Sequence, residues 1–335
     1  MLSVLTPGRR RKRRTPLVVA GMLAVVAALA GAAAGHWSRH AVAAQPRPAV
    51  PRPAVPRPIV VVRERPAAPR LLVSVRPRFH YRFVPPLRAR AAILVDARSG
   101  TVLWARRAHA RLPIASTTKV MTALLALERL APRQLVSVPR GVLRIPLVRE
   151  GLRPGEQVQA RKLLVGLLVF SGNDDAATLA DAVAGSRGAF VRLMNRRARE
   201  LGLRETHFSN PSGVIDRGNR SSAADLAALT RYAMRDPRFR SAVRTRIARV
   251  KWHAPTFEKV YVNKNPLLFT YRGADGVKTG WTTVARHCII ASAHRHHVRL
   301  IAVVLGSNDA AGMARRLLDF GFATRARAGG MPRAR

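Results

Sequence analysis

Residues 113–119 read Pro113-Ile114-Ala115-Ser116-Thr117-Thr118-Lys119, and Val120 to Leu130 continues with helical spacing of apolar residues. The pattern puts Ser116 at or near a helix N-terminus and Lys119 one turn further on, so both side chains share a face. A helix N-terminus disfavours a second positive charge and pushes the amine toward its neutral form. A neutral amine within reach of a hydroxyl can take its proton and make the oxygen a nucleophile. Exposed N–H groups of the first turn can stabilise an oxyanion. The same residues also describe a capped helix with a solvated charge, and S-x-x-K alone does not separate the two.

Working outward, Ala92 to Val95 and Thr101 to Trp104 flank Asp96-Ala97-Arg98-Ser99-Gly100, a hairpin signal. Helical patterns cover Lys162 to Val169 and Asp174 to Val183. Strand patterns return at Cys288 to Ser292 and Val298 to Leu305, and a last helix is expected from Met313 to Phe320. Strands at both ends with helices between them predict one sheet closed by both chain ends, with a helical insertion.

Two further constellations lie along this frame. Ser171-Gly172-Asn173 sits between an apolar segment and a helix start, 55 residues after Ser116. Lys278-Thr279-Gly280 follows 107 residues later. A Lys beside a Thr on a strand can hold a carboxylate, and a Gly lets another backbone come close. Each alone is an ordinary turn or a basic edge strand. In this order, S-x-x-K, S-x-N and K-T-G form a trio with a shared chemistry. The lysine count supports it. Only Lys12, Lys119, Lys162, Lys251, Lys259, Lys264 and Lys278 are present in a chain with 60 basic side chains. Arg cannot serve as a base, whereas Lys can when its surroundings lower its pKa.

With these residues the chain resembles the D-alanyl-D-alanine carboxypeptidase family of low-molecular-mass penicillin-binding proteins, which are serine peptidases. The likeness runs from about Ala91 to Phe322. It includes Leu152-Arg153-Pro154-Gly155-Glu156, Thr206-His207-Phe208-Ser209-Asn210-Pro211-Ser212-Gly213 and Asp275 to Thr282. The resemblance implies an α/β (α+β) fold of the serine β-lactamase and D,D-peptidase type. That fold has a five-stranded antiparallel sheet flanked by helices, plus a helical lobe. It implies Ser116 as nucleophile, Lys119 as its base, Ser171 as a proton relay and Asn173 on the substrate backbone. Lys278, Thr279 and Gly280 would hold the terminal carboxylate, and the N–H groups of Ser116 and Trp281 would form an oxyanion hole. No metal or cofactor is implied. Peptidoglycan stem peptides are the implied substrates and β-lactams the implied covalent inhibitors. One departure is Arg286, where relatives often carry Gly.

Three other readings compete. A β-lactamase of class A would place a Glu four residues before Asn210, where Thr206 stands. A D,D-endopeptidase cutting cross-links would share the same residues. A non-catalytic wall-binding scaffold would not need the intact trio.

The N-terminal part carries other signals. Basic residues from Arg9 to Arg14 precede an apolar stretch from Thr15 to Gly35, and small residues follow to Ala44. Residues 1–44 therefore read as a signal peptide or an N-terminal membrane anchor. Residues 45–90 form a Pro/Arg-rich spacer, with a five-residue repeat at Pro46, Pro51 and Pro56. The catalytic domain is expected over 91–323, and 324–335 as a loose basic tail. Many relatives continue into a β-rich domain and a C-terminal anchor. Neither follows the last helix here, so the N-terminal segment is the expected tether. Export places the domain in the periplasm or on the outer face of the cytoplasmic membrane. The formal charge is +43. Its sharp reading is a membrane or anionic wall polymer, and its plain one is a coding bias toward Arg. Nucleic-acid motifs do not accompany it, so a specific nucleic-acid partner is not expected. Cys288, the single cysteine, lies in an apolar run and reads as a buried strand residue.

Overall fold

The computed structural model describes residues 88–214 and 218–328. The expected export segment, and the spacer up to residue 87, lie outside the described residues. In chain order the elements open with β1 (Ala91–Asp96), β2 (Val102–Arg106), β3 (Leu112–Pro113) and α1 (Lys119–Arg129). Next come β4 (Leu135–Ser137), β5 (Gln157–Gln159), α2 (Ala160–Val165), α3 (Asn173–Ala184) and α4 (Arg187–Glu200). Then follow β6 (Arg220–Ser221), α5 (Ala223–Ala233), α6 (Pro237–Arg244), β7 (Ile247–Lys251), β8 (Glu258–Val262) and α7 (Leu267–Thr270). The described part closes with β9 (Ala274–Thr282), β10 (Arg286–Arg295), β11 (Val298–Ser307) and α8 (Ala310–Ala328).

The main sheet is antiparallel, in the order β2-β1-β11-β10-β9. β1 pairs with β11 from Ala91↔Leu305 to Asp96↔Leu300, so the two chain ends do close the sheet. Every residue of β1 is buried, because both of its faces are covered. Period-2 alternation divides it. Ile93 and Val95 face the larger core with Ile301, Val303, α1 and α5, whereas Ala92 and Leu94 pack beneath α8 with Leu317 and Leu318. Gly321 shows how closely α8 lies on the sheet. A Cβ there would stand 2.6 Å from Leu300 Cδ1 and 2.7 Å from Leu94 Cδ2.

The helical lobe is tied together by one buried cation. Arg197 on α4 donates to Glu128 at 2.8 Å, Glu200 at 3.0 Å and the Tyr232 hydroxyl at 2.7 Å, which joins α4 to α1 and α5. A buried guanidinium is tolerable only when it is paired in this way.

Two boundaries differ from expectation. The helix expected over Lys162 to Val169 is α2 followed by a π-helical turn, Gly166–Phe170. Gly166 faces Asp175 so closely that a Cβ would fall 2.4 Å from Asp175 Oδ1. The basic tail expected to be loose from Thr324 is instead helical to Ala328. Thr324 Oγ1 donates to Phe320 O at 2.8 Å, and Arg325 pairs with the buried carboxylate of Asp96, which anchors the last turns. Among the described residues no helix is long and apolar enough to cross a membrane.

Candidate active site

Ser116 stands in a 3₁₀ turn, Ala115–Thr118, that runs directly into α1, and Lys119 is the first residue of that helix. Lys119 is fully buried. Its Nζ lies 3.0 Å from Ser116 Oγ, 2.7 Å from Asn173 Oδ1 and 2.9 Å from Ser212 O. Burial first, and then the charge of Lys278, hold its pKa well below the ordinary lysine value. The sequence offers the helix dipole as a cause; burial and the Lys278 charge, which depend on the fold, act in the same direction.

The turn is shaped by its neighbours. Ala115 adopts φ +47, and Gly213 (φ +81) presses on it so closely that a Cβ would lie 1.9 Å from Ala115 O. The loop bearing Gly213 is clamped by Asn219. Its Oδ1 accepts from Ser209 N at 2.6 Å and Ser209 Oγ at 2.8 Å, and its Nδ2 donates to Thr118 Oγ1 at 3.2 Å. Asn210 Oδ1 in turn accepts from Gly213 N at 2.7 Å.

Ser171 ends the π-helical turn in the left-handed region, with φ +74. It opens on the same cavity as Ser116, about 870 Å³, with Lys264, Thr279, Gly280 and Trp281 also on its wall. Lys278 lies beneath that wall. It is buried, donates to Thr279 O at 2.9 Å, and is pushed down to about 7 by burial and then by the nearby Lys264 charge. Trp281 is exposed at the rim, its ring 6.2 Å from that of His287. Asn173 is buried, and both ends of its amide meet protein groups: Lys119 Nζ, and Pro146 O at 3.1 Å.

Gly280 brings β9 against the serine turn. A Cβ there would fall 2.7 Å from Ser116 N and 3.0 Å from Ala115 Cβ. Gly280→Ala should therefore push edge strand and turn apart, cutting the rate of penicillin acylation by roughly 10²-fold. Stopped acylation assays beside circular dichroism check this; an unchanged rate in a folded variant would show that the close approach is dispensable.

Sequence reasoning missed a carboxyl cluster behind Ser171. Asp174 accepts the backbone N–H groups of Glu150, Gly151 and Leu152 at 3.0, 2.9 and 3.1 Å, and Asn173 N donates to Val148 O at 2.8 Å. This seats the loop that brings Leu147 and Val148 to the cavity edge. Asp175 is fully buried beside Glu150, which bonds the Tyr261 hydroxyl and lies 3.6 Å from Lys259 Nζ. Burial, then the charges of Glu150 and Asp174, push Asp175 well above the ordinary carboxylate range. The doubled acid in Asn173-Asp174-Asp175 was the available signal.

That raised value has a sign. The folded chain keeps a proton on Asp175 that the unfolded chain releases near pH 4, so this group destabilises the fold progressively as pH rises above that point. Asp175→Asn, which needs no proton, should thus melt higher than the wild type at pH 8 and show little gain at pH 4. Thermal unfolding at both pH values tests it, and a gain independent of pH would refute the assignment.

Arg286 adopts φ +57 at the start of β10, a left-handed conformation that glycine takes without steric cost. Cys288 is buried on the same strand, its thiol pushed up to about 11 by burial.

A serine turn against a buried lysine, in a cleft between a helical lobe and the edge strand of a five-stranded antiparallel sheet, is the architecture of the serine β-lactamase and D,D-peptidase fold. A family profile described as D-alanyl-D-alanine carboxypeptidase matches residues 81–309. The chain belongs to that family. It is 37% identical over 248 residues to the D-alanyl-D-alanine carboxypeptidase DacB2 of Mycobacterium tuberculosis, covering 72% of this chain and 84% of the relative. It is 34% identical to DacF of Bacillus subtilis, covering 70% of this chain and 62% of the relative's length. Against DacD of Escherichia coli it spans 64% of the relative. Among solved structures, the Streptomyces K15 DD-transpeptidase superposes with a TM-score of 0.68 at 31% identity, covering 71% of this chain and 98% of that one.

Proposed function

We propose that the chain is a serine-type D-Ala-D-Ala carboxypeptidase that trims the terminal D-alanine from peptidoglycan stem peptides. The observation that carries this reading is the buried Lys119 Nζ, 3.0 Å from Ser116 Oγ. When neutral, that amine gives its two N–H bonds to Asn173 Oδ1 and Ser212 O, and its lone pair faces the serine hydroxyl. Ser116 Oγ attacks the carbonyl carbon between the two D-Ala residues and Lys119 takes its proton. The C–N bond breaks as Ser171 donates its proton to the departing amine and takes in return the proton that Lys119 accepted, which restores both groups. Water then hydrolyses the ester and frees Ser116. The Ser116 and Trp281 N–H groups stabilise the oxyanion. Lys278, with Thr279 and Gly280 beside it, supplies the positive charge for the terminal carboxylate. Asn173 acts through Lys119 as a positioning residue. β-Lactams acylate Ser116 by the same attack.

The proposal extends to the whole chain. Residues 1–44 export or anchor it, 45–90 space it from the membrane, and the domain works outside the cytoplasm, where peptidoglycan is. The name of the Streptomyces relative points to a second reaction of the same acyl-enzyme, transfer to an amine rather than to water.

The test is a three-way product assay. Purified enzyme is given a pentapeptide, a cross-linked muropeptide, and the pentapeptide with an added amine acceptor. Release of free D-alanine from the pentapeptide is expected to dominate. Cleavage of the cross-linked substrate alone would make the protein an endopeptidase, and dominant transfer to the acceptor would make it a transpeptidase.

A further inference from the structure

The excess positive charge has a place in the fold that the catalytic reading does not use. A second concavity, about 740 Å³, lies over the C-terminal half of α4 and the segment after it. Arg192, Arg196, Arg199 and Arg204 line it together with His207, and acidic side chains are absent from its lining. All four arginines are exposed. Arg192, Arg196 and Arg199 stand at i, i+4 and i+7, on one face of the helix and spread over about 10 Å of its axis.

These guanidinium groups are not engaged in the lobe's own ion pairs. Among the described residues none of the four has a carboxylate partner. The two acids nearest in sequence have partners elsewhere: Glu200 pairs with Arg197 at 3.0 Å, and Glu205 accepts from Ser222 Oγ at 3.3 Å. The floor of the concavity is also satisfied. Asn195 exchanges bonds with the Phe208 backbone at 2.7 and 2.9 Å, and Thr206 donates to Asp225 at 2.7 Å. What remains unpaired is cationic and forked, the geometry that matches phosphate two bonds at a time.

We propose that this concavity binds a phosphodiester polymer that lacks bases, of the polyol-phosphate type, with successive phosphates meeting successive arginines along α4. Four unpaired guanidiniums in one hollow suit a repeating anion better than a single one. Phe, Tyr and Trp rings are absent from the lining, which leaves only His207 and the guanidinium planes to stack on a base. A polymer without bases uses the phosphate-matching forks fully and needs no stacking platform. The hollow is concave, which suits a chain and not the flat face of a bilayer. Held there, a wall polymer would keep the domain beside its substrate independently of the N-terminal tether.

The experiment uses the full chain and a readout resolved by residue, because the basic segment before residue 88 also attracts polyanions. The protein is modified with phenylglyoxal with and without poly(glycerol phosphate), and each arginine is followed by mass spectrometry. Arg192, Arg196, Arg199 and Arg204 should be protected about tenfold at low salt, with the effect fading as salt rises, whereas exposed Arg111 and Arg133 should react as before. Equal protection of all these arginines, or none at α4, would overturn the proposal. Stronger α4 protection by an oligothymidylate of equal charge would replace it with a nucleic-acid site, and protection by anionic vesicles alone would replace it with a membrane site. As a second measurement, Arg196→Ala/Arg199→Ala should bind poly(glycerol phosphate) about tenfold more weakly than Arg111→Ala/Arg133→Ala, which removes the same charge. Equal losses in both variants would also refute it. Penicillin acylation should be the same in both.

Discussion

Ser116→Ala should abolish covalent labelling by a fluorescent penicillin, and peptide hydrolysis should fall by at least about 10⁴-fold. The substitution removes one oxygen from a nearly buried position and leaves Lys119 with its other two partners, Asn173 Oδ1 and Ser212 O. Folding stability should therefore change by no more than about 1 kcal/mol. The pairing of a large chemical loss with a small structural one is the point of the experiment. Thermal unfolding and gel fluorescence on the same sample measure both. Labelling that persists in a folded Ser116→Ala variant would remove the nucleophile assignment outright.

Lys119→Met should cost a comparable amount, on the order of 10³-fold or more in acylation, because methionine fills the site without offering a base. It also strands two carbonyl oxygens, so some loss of stability is expected, and the pH profile is the cleaner readout. In the free enzyme, kcat/KM should rise from acid pH as Lys119 gives up its proton. It should fall again above about 7, as Lys278 loses the charge that attracts the substrate carboxylate. The two lysines repel, so the site holds one proton between them more readily than two. Lys119→Met should lose the acid limb and Lys278→Gln the alkaline one. An acid limb that survives in a folded Lys119→Met enzyme would assign the base elsewhere.

Much of this was legible before any coordinates. The β1–β2 hairpin, α1, α3, β10 and β11 each announce themselves by local periodicity and turn chemistry. The trio of motifs announces the site because each member is short and contiguous. Closure of the sheet by both chain ends also followed from the order of the elements.

Other features were not legible, since they depend on groups far apart in the chain. The pKa of Lys119 is set by burial and by Lys278, 159 residues away in sequence. The proton on Asp175 depends on Glu150 across the loop that Asp174 holds. The last turns of α8 looked like a loose basic tail until Asp96, at the end of β1, supplied their anion. The surplus of arginines read as diffuse charge until α4 gathered part of it around one hollow. The sequence by itself determined which elements form and which residue types could react, because periodicity, capping and side-chain chemistry are local properties. Only the tertiary structure decided which Lys is pushed toward its neutral form, which carboxyl is pushed toward its protonated form and which arginines stand without carboxylate partners, because desolvation and Coulomb energy depend on distances in space.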